Sequence, residues 1–220
     1  MLEKKLEEIC IKLDEEAEHV RNPNWISMTQ ETISTLNNII KQEERLGNIR
    51  KGQKVLDLGS GNGTAAFTWS NNNYKVIGIE IDIKLYNIAV NALKKYPELK
   101  QLDVKFFNGS FYPLEYKKTD KTINLESKLL KELSLRNVSN NYTPYFIPFK
   151  DTIYNDNNIN IKEIDIFYAY VWSFQMPSIF EMFEQLARND AKLIIIGPSR
   201  DSILEKYNNL ERKYNTIRKK

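Results

Sequence analysis

Three glycines at alternate positions, Gly59, Gly61 and Gly63, follow the short apolar run Val55-Leu56-Asp57-Leu58. Glycines so spaced after a strand build a turn whose backbone can come close to a ligand, because side chains there would block the approach. The dinucleotide fingerprint G-x-G-x-x-G lays a pyrophosphate over a helix N-terminus, but here the sixth position is Thr64 and nothing compensates. A Walker loop needs Gly-Lys-Ser/Thr, which is absent too. The acid Asp57, two residues before the first glycine, and the shortened loop suit a ligand without a diphosphate. That favours a nucleoside carrying an amino-acid tail. A second carboxylate, Glu80, closes the next apolar run, Val76-Ile77-Gly78-Ile79. An ionised carboxylate can accept both hydroxyl hydrogens of a ribose. NAD proteins use an acid similarly, so Glu80 discriminates only in combination with the short glycine loop.

Two further runs end in polar or aromatic residues. Val104-Lys105-Phe106-Phe107 leads into Asn108-Gly109-Ser110, and Ile164 to Tyr170 ends in an aromatic cluster. Alternation puts Tyr168 and Tyr170 on one side of that strand. Their hydroxyls or ring faces would orient an acceptor amine. A core aromatic is an equal reading for Tyr168, less so for Tyr170.

These residues need a frame to bring them together. Strand and helix patterns alternate from about residue 54 to 214, and a fifth apolar run, Leu193 to Ile196, follows a helix that starts near Pro177. Continuously apolar strands are buried on both faces. The expected fold is therefore α/β, a doubly wound, mainly parallel Rossmann-like sheet with its site at the carboxyl ends of the strands. Two helices precede it. Leu2, Leu6, Ile9, Leu13, Ala17 and Val20 form one helical stripe, stopped at Arg21-Asn22-Pro23. The second starts near Ser27, with Gln30 completing a capping box, and ends at Gly47. The division expected is a helical segment over 1–50 and an α/β domain over 51–220. Some 53 residues separate Ser110 from Ile164, long for a connection. An insertion at about 113–160 is expected there, holding a helix from Asn124 to Arg136 and the aromatic stretch 142–149 as a lid or recognition element. Asp201 to Tyr214 reads as a last helix.

Val55 to Gly63 followed by Val76-Ile77-Gly78-Ile79-Glu80-Ile81-Asp82 resembles the first two motifs of the class I (Rossmann-like) S-adenosylmethionine-dependent methyltransferases, over roughly residues 50–200. The resemblance implies that Asp57, Gly59, Ser60, Gly61 and Gly63 hold the methionine part of S-adenosyl-L-methionine. It implies that Glu80 holds the ribose and Ile81 packs on the adenine. Asn108, Gly109 and Ser110 fall where the family often has an acid for the adenine amino group. The usual sheet of the family has seven strands, the last two antiparallel. The helical look of the residues after the fifth strand implies that those strands are reduced, replaced by the insertion, or lost. Tyr170-Val171-Trp172-Ser173 stands where enzymes acting on base or glutamine amino groups carry Asn/Asp-Pro-Pro-aromatic, which disfavours those acceptors.

Methyl transfer displaces an already activated sulfonium, so the protein mainly aligns the reactants and excludes water. The expected activity is methyl transfer to an unidentified acceptor, a protein lysine or a small metabolite. The alternative is a non-catalytic sensor or scaffold that binds the same nucleoside. His19 reads as a surface histidine; Trp25 and Met28 are equally cofactor cover or ordinary packing.

Composition closes off other classes. The 220 residues are 41% hydrophobic and 28% charged, an ordinary globular balance. One cysteine and one histidine exclude a disulfide framework and a Cys/His metal site. A net charge of +3 makes nucleic acid an unlikely partner. No apolar run reaches a membrane span, and the charged start lacks a signal-peptide core, so the expected location is cytoplasmic.

Overall fold

Seven strands form one sheet in the order β3-β2-β1-β4-β5-β7-β6. This is a computed structural model; it describes residues 2–20, 30–134, 152–171, 173–197 and 200–220. The strands are β1 (Lys54–Leu58), β2 (Lys75–Glu80), β3 (Val104–Asn108), β4 (Ile166–Tyr170), β5 (Lys192–Ile196), β6 (Leu210–Lys213) and β7 (Thr216–Lys219). The helices are α1 (Leu2–Glu18), α2 (Gln30–Arg45), α3 (Thr64–Asn71), α4 (Ile83–Lys95), α5 (Asp120–Ser134), α6 (Ile153–Asp156), α7 (Met176–Leu186) and α8 (Arg200–Leu204). β1 to β5 pair in parallel, and β7 runs antiparallel to both β5 and β6. The chain winds outward from β1 through β2 to β3, then returns to β4 on the other side of β1. The two windings part between β1 and β4, where open α/β sheets bind their ligands.

Alternation along each strand feeds two cores, one on each face. Leu56, Leu58, Ile79, Phe167 and Ile195 pack against Ile179, Phe180 and Phe183 of α7, with Tyr116, Ile153 and Tyr154 beside them. Val55, Val76, Ile166, Tyr168 and Ile194 face the opposite layer, where α3 contributes Phe67 and Trp69. That layer includes Leu6, Ile9, Cys10 and Leu13 of α1 and Ile33, Leu36 and Ile40 of α2. The two N-terminal helices thus share the core of the α/β domain. Burying such a stripe, at about 25 cal/mol per Å² of apolar surface, is what holds a helix whose charged faces contribute little.

The caps follow the local chemistry. The side chain of Asp82 accepts a hydrogen bond from the Lys84 amide, starting α4. Gly47, at φ 69°, turns the chain out of α2. Pro177 sits in the first turn of α7, where its missing N–H has no helical partner to lose. Ser27 and the stretch 142–149 lie outside the described residues.

Two expectations change. α5 is the crossover that parallel strands β3 and β4 require. It starts at Asp120, so residues 120–134 of the expected insertion belong to the regular winding. The C-terminal segment is a β-hairpin after the short α8, whereas a helix from Asp201 to Tyr214 was expected. Leu204, Tyr207 and Leu210 recur every three residues and imitate one helical stripe, yet only Leu204 is helical, at the end of α8; Tyr207 is buried from a loop and Leu210 from β6. The open edge of β5 decides the outcome: its Leu193 and Ile194 pair with Ile217 and Thr216 of β7. Tyr214, at φ 59°, reverses the chain between β6 and β7. The last two strands, expected to be reduced, replaced or lost, are present as β6 and β7 and bring the sheet to seven.

Candidate functional site

The turn after β1 is tied to β2 rather than to its own strand. The Gly59 and Ser60 amides both donate to the Ile79 carbonyl at 3.0 Å, and the Gly63 amide donates to the Ser60 carbonyl at 2.9 Å. Gly59, Gly61 and Gly63 all have positive φ, at 79°, 55° and 89°, a region costly for residues with a Cβ. Gly63 is doubly constrained, since a Cβ there would stand 2.9 Å from the Phe67 and Phe106 rings. Gly78, inside β2, was not singled out from the sequence. A Cβ on it would stand 2.9 Å from Ser60 Cβ and 2.7 Å from the Phe106 ring. Its signal was available, because a glycine within a strand often marks close approach of another backbone.

Glu80 lies under this turn. Its Oε2 accepts from the Gly61 amide at 2.8 Å, and its Oε1 accepts from the Asp82 amide at 2.7 Å. Burial raises its carboxyl to about 7, against those two amide hydrogen bonds, which favour the charged form. Asp57 is 1% exposed. Burial first, and then the charge of Glu80, raise it to about 8. Asp57 Oδ2 and Ser60 Oγ are buried with no hydrogen-bond partner among the described residues. Buried polar atoms are normally paired, so this turn has donors and acceptors available to a ligand. A carboxylate has about four acceptor positions, and the amides of Gly61 and Asp82 use two of those on Glu80. The residues fit a nucleoside ligand with a charged tail: a turn with glycine at every second position, a carboxylate with acceptor capacity for a ribose, and an unpaired acid beyond it.

The end of β3 supports that carboxylate from behind. Asn108 Nδ2 donates to the Glu80 carbonyl at 2.8 Å and to the Ile81 carbonyl at 3.3 Å, and the Gly109 amide donates to the Glu80 carbonyl at 2.9 Å. Ser110 is buried, with its Oγ accepting from the Tyr112 amide at 3.2 Å. Asn108 and Ser110 are thus engaged with backbone groups. Ile81 is 54% exposed beside Glu80, and Ile83, which the sequence reading passed over, is 50% exposed two residues on. Together they make an apolar ledge at the carboxyl end of β2. The Phe111 ring approaches from the β3 side, 3.8 Å from where a Gly59 Cβ would stand.

Tyr168 and Tyr170 share one face of β4, as alternation requires. Tyr168 is the register partner of Asp57, is fully buried, and packs edge-on against Trp69 with ring centroids 5.9 Å apart. An acceptor arriving from solvent does not reach it, so the acceptor-orienting role fails for Tyr168 on burial alone. Tyr170, at the strand end, is half-buried. Trp172, with Trp25 and Met28, lies outside the described residues. His19 is exposed in the turn that follows α1.

Helix α1 closes the turn from the far side, which periodicity alone did not indicate. Asn62 Nδ2 donates to Asp14 Oδ1 at 3.5 Å, and the Asn62 side chain also accepts from the Thr64 amide at 3.3 Å. Cys10 is buried against Thr64, and burial raises its thiol to about 12. On the other face, α5 and α7 are joined by polar side chains in the core. Tyr116 donates to Glu181 at 2.8 Å, Ser178 donates to Glu126, and Lys118 pairs with Glu126 at 2.8 Å. No helix among the described residues is long and apolar enough to cross a membrane.

Comparison with known proteins bears on these features. Residues 11–111 match the profile of the protein-L-isoaspartate(D-aspartate) O-methyltransferase family. The matched stretch runs from α1 through the turn, both carboxylates and the end of β3. No curated protein matches the chain. Among solved structures, precorrin-6y C5,15-methyltransferase from Geobacter metallireducens is 9% identical at TM-score 0.47, covering 86% of each chain. An RNA methyltransferase from Salinibacter ruber, solved with S-adenosyl-L-homocysteine, is 12% identical at TM-score 0.45, covering 82% of this chain and 86% of that one. The YcgJ protein of Bacillus subtilis is 17% identical at TM-score 0.42; 80% of this chain is covered and 56% of that one, so the chain spans little more than half its length. The sheet order is that of a doubly wound, Rossmann-like α/β fold, and the profile match covers residues 11–111, less than half of the 220.

Proposed function

We propose that this chain, which has the class I methyltransferase fold, transfers the methyl group of S-adenosyl-L-methionine to an acceptor that enters at the carboxyl end of β4. The observation that carries the reading is Glu80 set under the Gly59–Gly63 turn, bonded to the Gly61 amide, with the unpaired acid Asp57 one strand over. Glu80 takes the ribose hydroxyls, Asp57 and the turn take the amino-acid end, and Ile81 and Ile83 flank the base. Bound there, S-adenosylmethionine supplies an activated methyl group. The chain binds and orients the cofactor through these residues.

The profile match ends at residue 111, before α7 and the end of β4, so it supports the cofactor half of the site and is silent on the acceptor. A protein lysine or a small metabolite remains the proposed acceptor class. Tyr170, at the rim of β4, is the candidate for orienting it.

Thermal melting tests the reading. At 100 times its dissociation constant a ligand adds about 2.7 kcal/mol, or roughly 5–10 °C for a chain of this size. S-adenosylmethionine and S-adenosylhomocysteine are expected to give this shift, and NAD and ATP none. Glu80→Ala should erase it. A full shift in that variant overturns the ribose assignment. Label passing from methyl-labelled cofactor to a protein or metabolite in cell extract would then identify the acceptor class.

A further inference from the structure

The two carboxyls of the turn are close-set and buried. Asp57 is the register partner of Gly78, and Glu80 follows two residues later on the same strand. Asp57 is 1% exposed and Glu80 7%. Glu80 is anchored by the Gly61 and Asp82 amides, and Asp57 keeps Oδ2 unpaired. Under the assignment proposed above, Glu80 meets the ribose and Asp57 the amino-acid end. Covalent connectivity then puts the sulfur between the two, because it alone joins those parts of the molecule.

We infer that Asp57 and Glu80 read the charge on that sulfur: a sulfonium cofactor seats with a larger loss of protons from this carboxyl pair to solvent than the neutral thioether product does. Both compounds carry the same ammonium and carboxylate, so these cancel in the comparison and only the sulfur differs. A cation within reach of an acid favours its ionised form, and by linkage the ionised form favours the cation.

The groups around the pair leave room for this effect. From β2 and the turn after it come Glu80 and Asp82, from β4 Tyr168 with Tyr170 beyond it, and from α1 Asp14 through Asn62 and Cys10 through Thr64. The charges acting on the two carboxyls are acidic: Glu80 on Asp57, and Asp82 on Glu80. Asp57 rises to about 8 and Glu80 to about 7, so near neutral pH the pair still holds a proton to release. The consequence is a selectivity that depends on pH: the affinity of the turn for fresh cofactor relative to spent product grows as pH rises.

Titration calorimetry in buffers of different ionisation enthalpy, phosphate and Tris, counts the protons. At pH 7 S-adenosylmethionine is expected to release between roughly 0.3 and 1 proton per molecule bound, clearly more than S-adenosylhomocysteine releases. Its affinity relative to the product should rise several-fold between pH 6 and 8, with a ceiling of about tenfold per pH unit for one whole proton. Asp57→Asn should remove most of the release and flatten the ratio. Glu80→Gln should reduce both if Asp57→Asn does not fold. Binding of both compounds with equal or no proton release overturns the inference and leaves the cofactor assignment standing. Failure of both to bind the unaltered protein overturns the cofactor assignment, and this inference with it.

Discussion

Asp57 and Tyr168 are register partners on β1 and β4, and the buried atoms Asp57 Oδ2 and Tyr168 Oη each lack a hydrogen-bond partner among the described residues. Burial, and then the nearby Asp57, push the phenol well above its ordinary range. The hydroxyl therefore works as a neutral group in the core rather than as a base. Tyr168→Phe removes an unpaired buried hydroxyl, whose desolvation costs about 1–3 kcal/mol. The melting temperature is expected to hold or rise by a few degrees, with cofactor affinity unchanged within about twofold. A tenfold loss of affinity would show instead that the hydroxyl touches the ligand.

Stability should depend on pH through the same two acids. Asp57 and Glu80 are raised in the folded chain, to about 8 and about 7, chiefly by burial. The unfolded chain gives up these protons near pH 4, so between there and pH 8 it binds fewer protons than the folded one. Stability then falls as pH rises through that window. Denaturant midpoints of the ligand-free protein are expected to be higher at pH 5.5 than at pH 8, and Asp57→Asn should shrink the difference. A midpoint that climbs with pH in the unaltered protein, and is unaffected by the substitution, would contradict the burial of these acids.

Gly78 admits no side chain without displacing Ser60 or Phe106. Gly78→Ala is expected to destabilise by about 1–3 kcal/mol, the usual range for overpacking, and to weaken cofactor binding because Ser60 belongs to the turn. Gly52→Ala is the comparison: its φ is also positive, at 84°, but nothing lies within 4 Å of a Cβ there. It should cost about 1–2 kcal/mol of stability with binding unchanged. Equal effects of the two on binding would deny Gly78 its role beneath the turn.

The hairpin that completes the sheet is held by a carboxylate from α2. Glu43 is fully buried, and its Oε1 accepts from the Asn215 amide at 2.9 Å while Oε2 accepts from Asn48 Nδ2 at 2.7 Å. Hydrogen bonds to a charged group contribute about 1.5–3 kcal/mol each. Glu43→Ala is expected to lower stability by at least one such contribution and to speed amide hydrogen exchange across 210–219 more than across β1 and β4. Uniform loss of protection over the whole sheet would mean that Glu43 supports α2 rather than the hairpin.

What the sequence by itself determined is local. The spacing of Gly59, Gly61 and Gly63 dictates a turn bare of side chains at alternate positions, Asp82 caps α4 after β2, and the apolar periods of α1 and β1 to β5 dictate an α/β layering. These follow from the reach of a residue to its near neighbours, which the chain order records. Only the tertiary structure decided that the helix stops at Leu204 and that Tyr207 and Leu210 belong to a loop and a hairpin, since the donor edge that recruits β7 lies on β5, more than a dozen residues away. It decided also that Tyr168 is core while Tyr170 is rim, that Gly78 clears space for Ser60, and that Glu43 fastens the chain's end to its second helix. Each depends on which distant atoms share a space, and one-dimensional spacing carries no record of that.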